Sequence, residues 1–230
     1  MAEIIGFLPQ LLRGARVTLI VWSLAAVLSA VFALLGGLGR LSERRGVRWV
    51  AGAYIETFRG TSVLVQMFWF FFALPILLGI ELSPITAGVL ALAMNVGAYG
   101  SEVVRGAIQA VPKGQREAAI AVNFTPRQRM RRVILPQAVP MMLPPFGNLL
   151  IELLKGTALV SLISITDLTQ AAQLLRSRTG ATVELYLTIL VIYFIIAFVI
   201  TLGMRALERR AAIGGRPVAQ EEAVVREPVA

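Results

Sequence analysis

Apolar residues run along this chain in five long blocks, at 17–38, 57–78, 85–108, 141–165 and 185–207, separated by shorter polar connections. Each block holds about 22–25 residues, enough for a helix to cross a hydrocarbon core ~30 Å thick with some tilt. Inside lipid a backbone must satisfy its own hydrogen bonds, and blocks of this length do so as helices rather than barrel strands. The pattern therefore predicts an all-α, polytopic membrane protein with five transmembrane helices. Ahead of the first block, the leading segment 1–16 contains a short apolar helix at 4–12, IIGFLPQLL, expected to lie in the membrane interface. Behind the last block, 211–230 is polar and broken by Gly and Pro, and is expected to be disordered. Residues 17–210 read as one transmembrane domain with no internal repeat and no soluble domain.

One connection, about 112–138, departs from its surroundings. KGQREAAIAVNFTPRQRMRRVILPQAVP carries six basic residues and few large aliphatics. QREAAIAV, from Gln115 to Val122, is built of strong helix formers. Asn123 stands where that helix ends, and Asn is the residue after Gly best suited to a left-handed C-terminal position. Thr125 is a natural N-cap and Pro126 suits the first helical position. The second helix is predicted over 126–135, ending before Pro136 because the residue before a proline avoids the right-handed helical region. The sequence thus writes helix, tight turn, helix.

Composition narrows the chemistry. The chain is 57% hydrophobic and 15% charged, against about 45–50% and about 25% in ordinary soluble domains. It has no Cys and no His, which removes disulfides, thiolate chemistry, His-ligated metal sites and Ser–His triads. Net charge is +9. In a soluble protein that would suggest nucleic acid; here it marks loops on one face of the membrane, and no nucleic-acid partner is implied. Arg40, Arg44, Arg45 and Arg48 follow the first block. Arg105, Lys113, Arg116, Arg127, Arg129, Arg131 and Arg132 follow the third, and Arg205, Arg209 and Arg210 the fifth. These connections share one side, expected to be cytoplasmic with the C-terminus, which puts the N-terminus outside. Arg13, Arg16, Arg176 and Arg178 fall on the opposite side, against the rule. No small-residue cleavage site follows the leading segment, so no cleavable signal is expected.

The basic connection resembles the cytoplasmic signature of bacterial ABC importer permeases: E-A-A, three residues, Gly, nine residues, Ile, one residue, Leu-Pro. Here it reads Glu117-Ala118-Ala119, Asn123 at the Gly position, Val133 at the Ile position, and Leu135-Pro136. RGTSVLVQMFWFFFALP from Arg59, AYGSEVVRGAIQAVPKGQREAA from Ala98 and LLKGTALVSLISITDL from Leu153 resemble the polar amino acid, histidine/glutamine-type permeases. Ser62 stands where that family usually has Pro. The likeness runs from about Leu11 to Arg210, and the ectoine/hydroxyectoine permeases look closest. It implies a subunit of the bacterial inner membrane whose connection, through Glu117, Ala118, Ala119, Asn123, Arg127 and Arg131, couples to a dimer of ATP-binding subunits. It further implies a second permease chain, similar or identical, and an extracytoplasmic solute-binding protein. ATP and Mg would belong to the partner; this chain has no G-x-x-x-x-G-K-[ST] loop and no cofactor of its own is expected. The basic cluster can also meet lipid phosphates. An ion-coupled carrier or channel is the rival reading, but no inverted repeat supports a carrier.

Polar residues inside the blocks are candidates for the translocation path. Glu152 and Lys155 share a helix face, and a charge at a span centre costs about 2.5–3.5 kcal/mol, which invites a role. Either Glu152 meets a cationic or zwitterionic substrate, or the two form an internal pair that holds the bundle. Asn95, Tyr99 and Glu102 make one polar stripe at i, i+4, i+7, with Gln66 a similar case in the second block. They serve either as path lining or as bundle hydrogen bonds. The aromatic block Phe68–Phe72 reads as lipid-facing or packing surface, and Gly36, Gly37, Gly39, Gly97 and Gly100 as close-packing positions.

Overall fold

The computed structural model describes residues 2–213, with side chains described over 6–211. Most of the segment expected to be disordered, from 214 on, lies outside the described residues. Among those described there is no strand, and the helices are α1 (Ala2–Arg40), α2 (Arg45–Gly60), α3 (Val63–Leu78), α4 (Pro84–Ala110), α5 (Lys113–Ala121), α6 (Pro126–Ile163), α7 (Leu168–Thr179) and α8 (Thr182–Ile213). Helices α1, α4, α6 and α8 are each long and apolar enough to cross a membrane, and the bent pair α2–α3 supplies a fifth span if counted as one.

The expected second span, 57–78, is the block the structure redraws most. The chain bends by 106° at Thr61–Ser62, so the block straddles a break. What precedes the break is not a loop but α2. Its Val47, Val50, Ala51, Tyr54, Ile55 and Phe58 recur at helical spacing, and Ala51 and Ile55 are buried while Arg45, Arg48 and Arg59 face out. Beyond the break, α3 holds a π turn at Trp69–Ala73, where the Leu74 N–H reaches back five residues to the Trp69 carbonyl.

The same device overturns the expected helix end before Pro136. A π turn at Met130–Ile134, with the Leu135 N–H on the Met130 carbonyl, carries the helix straight through into the fourth span. A proline clashes with the carbonyl four residues back and offers it no donor. The wider π turn moves that carbonyl aside. Pro75 and Pro136 each stand two residues after such a turn. Helix α6 also keeps its course past Pro140, Pro144 and Pro145, and closes in a 3-10 stretch at Thr157–Ile163.

The leading segment does not form a separate interfacial helix. It is the first part of α1, and its Leu11 and Ala15 are buried against Leu168, Ala171 and Leu175 of α7 and Leu185 of α8. Helix α7, unforeseen in the sequence, fills the connection between the fourth and fifth spans. The close seat depends on Gly14, where a Cβ would lie 2.7 Å from the Asp167 carbonyl oxygen. In the central core, Val21 and Ala25 of α1 meet Met67 of α3, Leu92 and Val96 of α4, and Leu153 and Val160 of α6. Helices α1 and α4 are nearly in backbone contact: a Cβ on Gly97 would stand 2.6 Å from Phe32 Cβ. That close approach is the role expected for the small residues of these two helices.

Candidate functional site

The α5–α6 hairpin is built by its caps. Asn123 has φ +60°, the left-handed conformation. Around it the Phe124 N–H donates to the Ala119 carbonyl at 3.0 Å and the Asn123 N–H to Ile120 at 2.8 Å, the paired bonds of a Schellman ending. Two residues on, Thr125 Oγ1 accepts from the Gln128 N–H at 3.3 Å while Gln128 Oε1 accepts from the Thr125 N–H at 2.9 Å, closing a capping box. Thr-x-x-Gln was legible in the sequence, and Gln128 was the part overlooked. Ala119 is buried, whereas Glu117, Ala118, Arg127 and Arg131 are exposed, and Glu117 has no ion-pair partner among the described residues. Arg116 ties the hairpin to the end of α4 by donating to the Ile108 carbonyl. Arg132 lies 5.8 Å from the Phe124 ring centroid. Thr125, Arg127, Gln128, Arg131 and Arg132 border an open recess of about 650 Å³. The hairpin therefore offers a preset turn, a free carboxylate and a basic recess on one end of the molecule.

The polar stripe of α4 meets the break between α2 and α3. A helix that stops there leaves carbonyls without partners. Asn95 Nδ2 donates to the Phe58 carbonyl at 2.7 Å, and Gln66 Nε2 to the same oxygen at 2.9 Å and to Thr61 Oγ1 at 2.7 Å. Tyr99 OH reaches the Arg59 carbonyl at 3.4 Å, with the Arg59 guanidinium 5.2 Å from its ring centroid. Asn95, Tyr99 and Gln66 thus converge on one broken helix end. Glu102 is apart from them, paired with Arg105 at 2.6 Å. The aromatic block beside the break divides: Phe68, Trp69 and Phe72 are exposed, and Phe70 and Phe71 pack on the core.

Glu152 and Lys155 are both exposed and make no ion pair among the described residues. The internal Glu–Lys pair considered above does not form. Instead they share an open face of α6 with Met141, Pro144, Pro145 and Asn148, all exposed. Asn148, Glu152 and Lys155 fall at i, i+4, i+7. Asn148 was missed in the sequence because a lone uncharged polar residue in an apolar block carries little signal.

Sequence reasoning also missed a buried network at the other end. Asp167, wholly buried, caps α7 by accepting from the Gln170 N–H at 2.9 Å. Tyr193 OH of α8 lies 3.4 Å from Asp167 Oδ2 and 3.0 Å from Thr169 Oγ1, and Thr18 Oγ1 of α1 accepts from the Leu168 N–H at 3.1 Å. Burial raises the Asp167 carboxyl above the usual carboxylate range, against the opposing pull of its hydrogen bonds from Gln170, Thr169 and Tyr193.

With this geometry in hand, the likeness to known proteins is specific. A family described as "Binding-protein-dependent transport system inner membrane component" matches residues 25–213. A probable amino-acid ABC transporter permease of Sinorhizobium fredii is 50% identical over 207 residues, covering 88% of this chain and 87% of that one. The glutamine transport system permease of Escherichia coli is 36% identical over 207 residues, covering 90% and 94%. The crystal structure of an amino acid ABC transporter with histidines shares the fold at TM-score 0.84 and 37% identity, covering 91% of this chain and 97% of that chain.

Proposed function

Because the chain belongs to the family of binding-protein-dependent transport system inner membrane components, we propose that it forms half of an import path for a polar amino acid or an ectoine-type compatible solute. It is a multi-pass permease subunit of an amino-acid ABC importer and not an enzyme; a separate subunit hydrolyses ATP. A second permease chain, similar or identical, completes the path. A dimer of ATP-binding subunits, holding ATP and Mg, docks on the α5–α6 hairpin from the cytoplasm. A solute-binding protein delivers cargo outside, where the N-terminus lies, and the C-terminus is cytoplasmic.

The observation that carries this reading is the hairpin. Its turn is fixed by Asn123 and by the Thr125–Gln128 box, so the backbone that carries Glu117 and the arginines needs no ordering when a partner arrives. Closure of the ATPase dimer moves α5 and α6 together and reorients the spans. Glu152 and Asn148 supply the polar contacts for cargo on the open face of α6, with Lys155 beside them. Asn95, Tyr99 and Gln66 serve the path by holding its wall, and Glu102 with Arg105 lies nearer the hairpin end of α4.

Glu117→Lys tests the coupling. In reconstituted complex the variant is expected to assemble yet to lose most of the ATPase stimulation by binding protein. Unchanged stimulation would tell against docking through Glu117. The rival carrier or channel is separated by uptake in vesicles: transport that persists when ATP hydrolysis is blocked would overturn the importer reading.

A further inference from the structure

An apolar groove of about 490 Å³ opens between α1 and α2. Its walls are Phe32 and Leu35 of α1 and Val47 and Val50 of α2, and Leu35, Val47 and Val50 are exposed. The only polar side-chain group in the lining is the Tyr54 hydroxyl, which donates to the Met94 carbonyl at 2.8 Å. Three glycines leave the floor bare, and two of them are small for packing reasons. A Cβ on Gly36 would collide with the Ser101 hydroxyl, and one on Gly39 would lie 2.9 Å from the Ala51 Cβ. Gly46 is different. A Cβ there would meet nothing within 4 Å, and glycine weakens a helix relative to alanine. Packing within this chain does not account for Gly46, whereas a groove kept clear for an occupant does.

The Gly46 end of the groove is basic. Arg44 and Arg45 immediately precede Gly46; both are exposed, and neither side chain makes an ion pair or hydrogen bond among the described residues. Arg48 follows one turn on and donates to the Ser42 carbonyl at 3.2 Å. Glu43 is the one acid in the stretch 42–50. Trp49 stands among the arginines, 75% exposed. Free arginines and an exposed tryptophan leading into bare apolar surface are the order of groups found across a membrane–water interface. Arginine stems lie along apolar surface while their heads stay at the boundary. On the orientation proposed above this end faces the cytoplasm, where the leaflet is anionic. Nothing in the import mechanism uses Arg44, Arg45 or the groove.

We propose that the α1–α2 groove seats one acyl chain of an anionic phospholipid from the cytoplasmic leaflet, whose headgroup is held at Gly46 by Arg44 and Arg45. The groove offers water no hydrogen bond, and left empty it would forfeit contacts along both walls. A lipid chain restores them. The arginines add selection by charge: a zwitterionic headgroup brings its own cation, whereas a phosphatidylglycerol headgroup leaves the attraction uncancelled. The seated lipid braces α2 against α1 on the approach to the break at Thr61–Ser62.

The test uses the complete complex, with its ATP-binding subunit, stripped of lipid in detergent. It is titrated with phosphatidylglycerol or phosphatidylcholine, and the lipids retained per assembled complex are counted by native mass spectrometry. Wild type is expected to retain phosphatidylglycerol at about a tenth of the phosphatidylcholine concentration or less, at about fivefold per arginine. Arg44→Gln/Arg45→Gln is expected to erase most of that preference and to leave phosphatidylcholine retention unchanged. Gly46→Phe keeps every charge and fills the groove with no clash at its Cβ. It is expected to lower retention of both lipids severalfold, while Gly46→Ala, the control for the helix itself, binds as wild type does. Equal retention of the two lipids by wild type overturns the proposal. So does a Gly46→Phe complex that holds phosphatidylglycerol as wild type does, since the arginines then attract anionic lipid without a groove. A Gly46→Phe chain that no longer pairs with its permease partner also overturns it, and gives the groove to that second chain. Retention is read without transport, so a complex that keeps this lipid pattern and imports nothing sinks the importer reading alone.

Discussion

Asn123 shows how one backbone angle sets a functional shape. At φ +60° Gly is free of strain, Asn is tolerated, and a β-branched side chain clashes. Asn123→Gly is expected to be nearly silent. Asn123→Val is expected to cost about 1–3 kcal/mol locally and to lower coupled ATPase activity, read as stimulation by binding protein at constant assembly. Asp167 makes a second residue-scale case. Its carboxyl is raised in the folded protein, so folding binds a proton relative to the unfolded chain. Its contribution is therefore fully present below the unfolded carboxylate pKa and is lost as pH rises through the folded value. Asn caps a helix as well as Asp does, so Asp167→Asn should keep α7 and melt higher than wild type at pH 7, with the gap closing toward pH 4. Caps of this kind are local in sequence, and those at Asn123 and Thr125 were readable there. The partners of Asn95 and Gln66 were not, since no local pattern says which carbonyls a distant break will leave open.

Among the elements, the broken span and the two π turns separate what patterning can foretell from what it cannot. Hydropathy found a span within each of α1, α4, α6 and α8 because each holds a long apolar run, although α1 and α6 begin well ahead of the expected spans. It failed at α2, whose arginines lower the average although its apolar positions recur at helical spacing. It failed again at Pro136, where the rule that proline ends a helix gave way to a π turn. The break itself rests on two donors to one oxygen. Replacing Asn95 by Leu removes one bond, worth about 1 kcal/mol. Replacing Asn95 and Gln66 together leaves the part-buried Phe58 carbonyl without either donor. The double variant is expected to lose more than the sum of the singles, with about 1–3 kcal/mol of extra penalty for the orphaned oxygen. Thermal unfolding of the detergent-solubilised complex, run as a double-mutant cycle, checks this.

For the whole molecule, the two ends and the open face of α6 have different legibility. The hairpin end was readable in motif and charge, because its caps and its basic cluster are confined to consecutive residues. The far end was not, because α1 and α7 meet only in three dimensions. The proposed cargo contacts lie between these cases: Glu152 and Lys155 were visible as costly charges, but their lack of a mutual pair emerged only from the structure. A carboxylate left free on a membrane helix needs a cavity or another chain beside it. Glu152→Gln is expected to weaken uptake of a cationic or zwitterionic substrate several-fold while the ATPase rate without substrate holds. Equal substrate affinity in the two proteins would remove Glu152 from the path.

The uninterrupted course of α6 has a further consequence for water. Pro140, Pro144 and Pro145 have no N–H to give, so the oxygens of Pro136, Pro140 and Met141 lack the donor an ordinary helix would supply four residues on. Lipid cannot satisfy them. The same side of the helix exposes Met141, Pro144, Pro145 and Asn148, so water that reaches these oxygens would run along the face that carries Glu152. A helix that looks apolar by side chain would then be, by backbone, the wetter wall.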